Sequence, residues 1–209
     1  MNTFKVVRMA KRGDKLPLEF KTEWLELNGQ LKRAANRVVV SMPTSENPPF
    51  DGFAAIYYST AAKAKETLTD KAGRQEVLGE EFIAGEKIDA AKTIKAKEQI
   101  KVVRLIIRKK DMSLAEFRNH WLTTYTKLEK RLTVETPVLR VSATFALPPD
   151  PGANEPYFDG MEELYLASLE DFNAMLASPI PALMRKEEEN FVQLDAPTNA
   201  SLMVEETVL

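Results

Sequence analysis

The sequence predicts an α+β protein: two ferredoxin-like βαββαβ repeats, residues 1–98 and 99–209, packing sheet to sheet as a barrel within one chain. Three observations predict it. Short segments recur in the same order in both halves, each half mixes β-branched runs with helical apolar stripes, and a sheet with helices on one face must have its other face covered.

The recurrence is read directly from the residues. Lys5-Val6-Val7-Arg8 returns as Lys101-Val102-Val103-Arg104, an offset of 96. Glu19-Phe20-Lys21-Thr22-Glu23-Trp24-Leu25 answers to Glu116-Phe117-Arg118-Asn119-His120-Trp121-Leu122 at 97, which puts the chain's 2 tryptophans in equivalent places. Phe50-Asp51-Gly52 matches Phe158-Asp159-Gly160 at 108, with Tyr57 over Tyr165, and Phe82-Ile83 matches Phe191-Val192 at 109. The offset grows only where loops absorb insertions, and the second copy carries the longer Pro-rich loop Leu147-Pro148-Pro149-Asp150-Pro151-Gly152.

In the first half, Lys5 to Met9 reads as a strand, and Pro17 suits the first position of a helix whose stripe is Phe20, Trp24, Leu27 and Leu31. In the second half, Ile100 to Arg108 is a strand rich in β-branched residues. Ser113-Leu114-Ala115-Glu116 is a capping box opening a helix with Leu114, Phe117, Trp121, Tyr125, Leu128 and Leu132 on one face. Val138 to Leu147 alternates as a second strand, and Met161 to Leu166 forms a third after the Asp159-Gly160 turn. Ser168 starts another helix, a short helical segment follows Pro181, and Leu202 to Val208 closes the chain as a strand.

Alternation assigns faces. On the first strand Val7/Val103 and Met9/Leu105 form an apolar set suited to the helices, so Arg8 and Arg104 are expected on the barrel interior. On the third strand Phe53, Ala55 and Tyr57, with Met161, Glu163 and Tyr165, are assigned to the lumen.

The second half resembles an EthD-type domain of the dimeric α/β-barrel superfamily over nearly its whole length. The resemblance rests on Met112-Ser113-Leu114-Ala115-Glu116-Phe117-Arg118-Asn119-His120-Trp121, Phe158-Asp159-Gly160-Met161-Glu162-Glu163-Leu164-Tyr165, Ser168-Leu169-Glu170-Asp171, Ala177-Ser178-Pro179 and Val204-Glu205-Glu206-Thr207-Val208. The first half resembles it through the internal match. Such domains homodimerise through their sheets, and the resemblance implies that here two copies do so within one chain. Related barrels include cofactor-free monooxygenases, isomerases, dehydratases and haem enzymes, so fold alone does not fix function. The family commonly places a His four residues after the helix-1 Trp and another in the final strand. Those positions hold Tyr125 and Thr207, with Asn28 in the first half.

Composition narrows the chemistry. With no Cys and 1 His, thiol nucleophiles, thiolate metal sites and His-dependent triads are excluded. A net charge of -2 argues against nucleic-acid binding. No apolar run nears the roughly 20 residues of a membrane span, and the N-terminus has no signal-peptide pattern, so a cytoplasmic protein without membrane contact is expected. Glycine motifs for phosphate cofactors are absent, and no cofactor or metal is expected. The runs Arg108-Lys109-Lys110 and Glu187-Glu188-Glu189 read as solvated ends.

Two functional readings remain open. In the first, a cofactor-free oxidoreductase, isomerase or lyase holds a small hydrophobic or aromatic acid or ketone in its lumen. Arg8 and Arg104 orient an anionic group, Tyr125 or Tyr165 donates, Glu163 moves a proton and His120 is a further candidate, with Tyr57, Phe53 and Met161 lining the ligand. In the second, the barrel is a non-catalytic binding or accessory protein of a degradative or monooxygenase system, with its arginines paired to carboxylates. The expected unit is a monomer with an internal pseudo-dimer, and further homodimerisation stays open.

Overall fold

A computed structural model of the chain describes residues 3–69, 73–90 and 99–209; the expected repeat boundary at residue 98 lies outside them. The elements run β1 (Thr3–Ala10), α1 (Pro17–Gly29) with a 3-10 turn (Gln30–Arg33), β2 (Arg37–Pro43), β3 (Gly52–Tyr58), α2 (Ala61–Lys65) and β4 (Arg74–Glu86). Then come β5 (Ile100–Ile106), α3 (Leu114–His120), a π-type turn (Trp121–Tyr125), α4 (Thr126–Glu135), β6 (Arg140–Ala146), β7 (Gly160–Leu166), α5 (Leu169–Ala177), α6 (Ile180–Glu188) and β8 (Ala200–Val208). This is an α+β fold whose eight strands follow the order β1-β3-β2-β8-β5-β7-β6-β4, closed as a barrel. No helix among the described residues is long and apolar enough to cross a membrane.

The chain divides into two compact units: Met1–Glu81 with Ala146–Tyr157 and Leu202–Leu209, and Phe82–Phe145 with Phe158–Ser201. In the first, β1 pairs antiparallel with β3, from Phe4 opposite Tyr58 to Ala10 opposite Gly52, and on its other edge with β4. Val6, Ala10, Ala54, Ile56 and Tyr58 pack on Phe20 and Trp24 of α1. α1 starts as expected with Pro17 in its first turn. A Cβ on Gly52 would come within 2.8 Å of the Trp24 indole, so only glycine lets the indole rest on the strand and donate to the Phe53 carbonyl at 3.1 Å.

In the second unit, β5 pairs with β7 from Ile100 opposite Leu166 to Ile106 opposite Gly160, and β7 pairs with β6. Its core joins Val102, Ile106, Val141, Phe145, Leu164 and Leu166 of the sheet to Phe117, Trp121, Tyr125 and Leu132 of the helices. The Ser113 capping box forms as expected, with Glu116 N–H donating to Ser113 Oγ and Ser113 N–H to Glu116 Oε2. Trp121 makes edge contacts with Phe117, Tyr125 and Phe145 at centroid distances of 5.3–5.5 Å, a geometry that adds to burial. A Cβ on Gly160 would stand 2.6 Å from Trp121. Ser168 caps α5 by accepting from Asp171 N–H, and the segment near Pro181 is a full helix, α6.

Three expectations need correction. Arg8 and Arg104 lie on the helix-facing side of their strands, with Val6 and Val102, and not on the opposite face. The set Val7/Met9 and Val103/Leu105 also includes Lys5 and Lys101, so each face of the strand carries one cation and the apolar count did not discriminate. Glu188 is buried, 1% exposed, although its run read as solvated. The Phe82/Phe191 match does not join equivalent elements, since Phe82 lies within β4 and Phe191 follows α6.

Candidate functional site

The residues that converge in the second unit lie between its sheet and its helices. Arg104 leaves β5 on the helix side and donates through Nη1 to Glu162 Oε2 of β7 at 2.8 Å, and through Nη2 to Glu188 Oε1 of α6 at 2.7 Å. The Tyr125 hydroxyl donates to the same Glu188 oxygen at 2.7 Å, with Arg104 Nη1 3.4 Å from that hydroxyl. Glu129 of α4 accepts from the Trp121 indole N–H at 2.9 Å and stands beside Glu162. Tyr125 ends the π-type turn, a widened turn of a kind that clusters at functional sites.

The electrostatics follow from burial and proximity. Burial opposes the charge of Arg104, but Glu162 first, with Tyr125 and Glu188, holds it well above the ordinary arginine range. Burial, then the charge of Glu162, pushes the Tyr125 phenol well up, so it stays a donor. Glu129 is driven well above the carboxylate range by burial and then by Glu162, and burial also raises Glu162 against the pull of Arg104. Glu129 Oε2 and Glu162 Oε1 are buried without a donor, and their side chains are within hydrogen-bonding reach. One proton held between the two carboxyls satisfies both oxygens.

A cavity of about 240 Å³ opens onto this cluster. Leu132, Leu164, Phe172, Met175 and Met184 form its walls, Arg104, Glu162 and Glu188 its polar end, and Arg185 and Ser201 part of its lining. Arg104 keeps 27% side-chain exposure while both its carboxylate partners are closed off at 0% and 2%.

Of the residues the sequence nominated, Arg104 and Tyr125 meet here and the others do not. Glu163, one residue from Glu162, points to the opposite face of β7, where Lys101 Nζ binds it at 2.7 Å and Ser142 Oγ lies 3.4 Å away. On that same face Lys101 and Arg140 sit over the Tyr165 ring at 5.3 and 5.6 Å. Met161 is buried there, opposite Leu105. In the first unit Arg8 pairs with Glu76 at 2.8 Å and donates to the Thr67 carbonyl, with burial lowering its pKa. Lys5 and Arg37 flank Tyr57 at 5.4 and 5.0 Å, and Phe53 packs edge-on against Phe50. His120 contacts Glu187 at 2.8 Å and the Phe191 ring, in a shallow surface cleft with Asn119 and Asn190.

Three carboxyls of the cluster were missed, although each had a signal. Glu129 continues the stripe Trp121, Tyr125, Leu132; Glu162 alternates with Leu164 toward the helices; Glu188 follows Ile180 and Met184 at helical spacing. The positions at which related barrels carry His do not fit a haem ligand. Tyr125 is committed to Glu188, Asn28 donates to the Trp24 carbonyl at 2.8 Å, and Thr207 is exposed on β8. Among the described residues no three His, Asp or Glu side chains are arranged to hold a metal.

Residues 109–195, less than half of the chain, match the EthD domain family. The match includes Tyr125, Glu129, Glu162 and Glu188 and leaves Arg104 outside. No curated protein matches the chain. Among solved structures it is similar to an anthrone oxidase-like protein at 7% identity and TM-score 0.64, over 99% of this chain and 93% of that one. A provisionally assigned monooxygenase from Fusobacterium nucleatum matches at 9% and 0.62, again over 99% and 93%. Chlorite dismutase from Candidatus Nitrospira defluvii matches at 12% and 0.50, over 98% and 90%. At these identities the likeness is one of fold: an eight-stranded antiparallel barrel with associated helices, similar to those structures.

Proposed function

We propose that this protein is a non-catalytic small-molecule binding barrel of the EthD type, built by tandem duplication, which holds a small, mainly apolar ligand in the cavity between β5, β7 and helices α4–α6. The observation that carries this reading is the engagement of the polar groups. Arg8 is held by Glu76, Arg104 by Glu162 and Glu188, and Glu163 by Lys101. A general base needs an acceptor within reach of substrate, and an anion site needs an uncommitted cation. Arg8 and Arg104 each answer carboxylates of their own unit. The apolar walls and enclosed polar end suit binding, and a volume of about 240 Å³ suits a ligand smaller than most drugs.

Duplication is supported by matched details. Lys5 lies opposite Tyr57 and Lys101 opposite Tyr165, Arg37 and Arg140 cover the same rings, and Gly52 and Gly160 each yield to a tryptophan.

The test is thermal unfolding of wild type and Ser201→Trp, whose indole is placed to cover the pocket mouth from an exposed position, against small aromatic and aliphatic amines, alcohols and acids. A ligand of the native state raises Tm by mass action. The expected result is a shift in wild type, absent in the variant, with the compound recovered chemically unchanged after incubation. Binding unaffected by Ser201→Trp, no shift with any compound, or turnover of a bound compound overturns the reading.

A further inference from the structure

At the polar end of the pocket the carboxylate oxygens are all engaged, and what stays open is a pair of donors. Glu188 Oε1 accepts from Arg104 Nη2 and from the Tyr125 hydroxyl, and its Oε2 faces Arg185 at 3.4 Å. Glu162 Oε2 accepts from Arg104 Nη1, and its other oxygen shares a proton with Glu129, which also accepts from the Trp121 indole.

A guanidinium carries five N–H donors in a fixed plane. The Tyr125 hydroxyl lies 3.4 Å from Arg104 Nη1 and 2.7 Å from Glu188 Oε1, so phenol and carboxylate share the end of the guanidinium between Nη1 and Nη2. Glu162 takes the other hydrogen of Nη1. The side edge, Nε–H with the second hydrogen of Nη2, has no acceptor among the described residues. Arg104 lines the cavity and keeps 27% of its side chain exposed, whereas Glu162 and Glu188 are closed off.

Resting on the pocket reading above, we propose that the ligand is a small apolar carbonyl compound, an uncharged ketone, ester or amide, whose oxygen accepts from the Nε and Nη2 edge of Arg104. Charge rules out the other heads. Glu188 and the proton-sharing Glu129 and Glu162 carry two negative charges against the one positive charge of Arg104, so a carboxylate ligand would add a third beside them. An ammonium would set its own donors against the N–H edge and find the carboxylates beside it already engaged. A carbonyl oxygen brings lone pairs without charge, loses its hydration at far lower cost than an ion, and gains the stronger hydrogen bond that a charged donor gives. An alcohol oxygen accepts there too, but its hydroxyl hydrogen meets no open acceptor beside Arg104. Leu132, Leu164, Phe172, Met175 and Met184 take the hydrocarbon body.

The experiment is isothermal titration at pH 7 of wild type and Arg104→Lys with acetophenone, ethylbenzene, benzoate and 1-phenylethylamine, four compounds of closely similar shape. Lysine keeps the charge between Glu162 and Glu188 and removes the planar N–H edge. Wild type is expected to bind acetophenone at least tenfold tighter than benzoate or the amine. In Arg104→Lys the ratio of acetophenone to ethylbenzene affinity should fall at least tenfold while ethylbenzene binding persists, which also reports that the variant is folded. Independently of any variant, the carbon-13 carbonyl resonance of labelled acetophenone bound to wild type should lie downfield of its position in hexane. An unchanged ratio, a bound resonance at the hexane position, or benzoate or the amine matching acetophenone overturns the carbonyl assignment and leaves the pocket reading standing. No binding by any of the four, together with no thermal shift across the wider panel, overturns both.

Discussion

Replacing Glu129 with Gln tests the proton that the acid cluster holds. In the unfolded chain Glu129 titrates near its ordinary 4.5, whereas burial and then Glu162 raise it well above that in the fold. Between those two values the native state binds one more proton than the unfolded state. Its contribution to stability is therefore complete below the ordinary value and is lost as pH rises through the raised one. For one proton the slope is about 1.4 kcal/mol per pH unit. The amide of Glu129→Gln has the same shape, keeps an oxygen for the Trp121 N–H, and offers Glu162 a donor that does not titrate. The stability of Glu129→Gln relative to wild type should thus rise with pH, by up to about 2.8 kcal/mol over two units while the native proton is retained. Urea unfolding at pH 5, 6, 7 and 8 measures the difference. Parallel stability curves for the two proteins would refute the shared proton.

Arg104→Met leaves Glu162 and Glu188 without their common cation and should cost about 3–5 kcal/mol in denaturant unfolding at pH 7, with a smaller loss at pH 5 as Glu162, raised by burial, takes up a proton. Gly160→Ala drives a methyl group into Trp121 and should lower stability by about 1–3 kcal/mol, read as a fall in Tm. Glu163→Gln breaks the buried pair with Lys101 and should destabilise by roughly 3 kcal/mol, yet ligand affinity measured by titration should not change, because Glu163 sits on the strand face opposite the pocket.

Periodicity and capping made the elements legible. Ser113, Ser168 and Pro17 begin helices where the sequence puts them, and the tryptophans are core residues in both units. Faces were harder to read, because β1 and β5 alternate one cation on each side and hydrophobicity cannot choose between Arg104 and Lys101. What decides is the supply of carboxylates: Glu162 and Glu188 reach Arg104, and Glu163 reaches Lys101, across chain separations that no local pattern reveals. The candidate site was half legible for the same reason. Tyr125 and Arg104 stood out as residue types, whereas Glu129 and Glu162, at apolar positions of their stripes, drew no functional reading and Glu188 read as part of a solvated run. The π-type turn left no mark in the sequence that local propensity could read.

The two tryptophan-bearing units differ at the positions that build the Arg104 cluster. Arg104 faces Glu162 across the strand pair, but Arg8 faces Ala54. Tyr125, four residues after Trp121, has Asn28 as its counterpart after Trp24, and Glu129, eight residues on, has the exposed Lys32. A barrel assembled from two identical chains would carry every such site twice and could not relax one without relaxing the other. On the proposed reading, with both halves in one polypeptide and the Arg104 cluster in the second unit, the pocket is expected once per chain, and a titration should saturate at one ligand per chain.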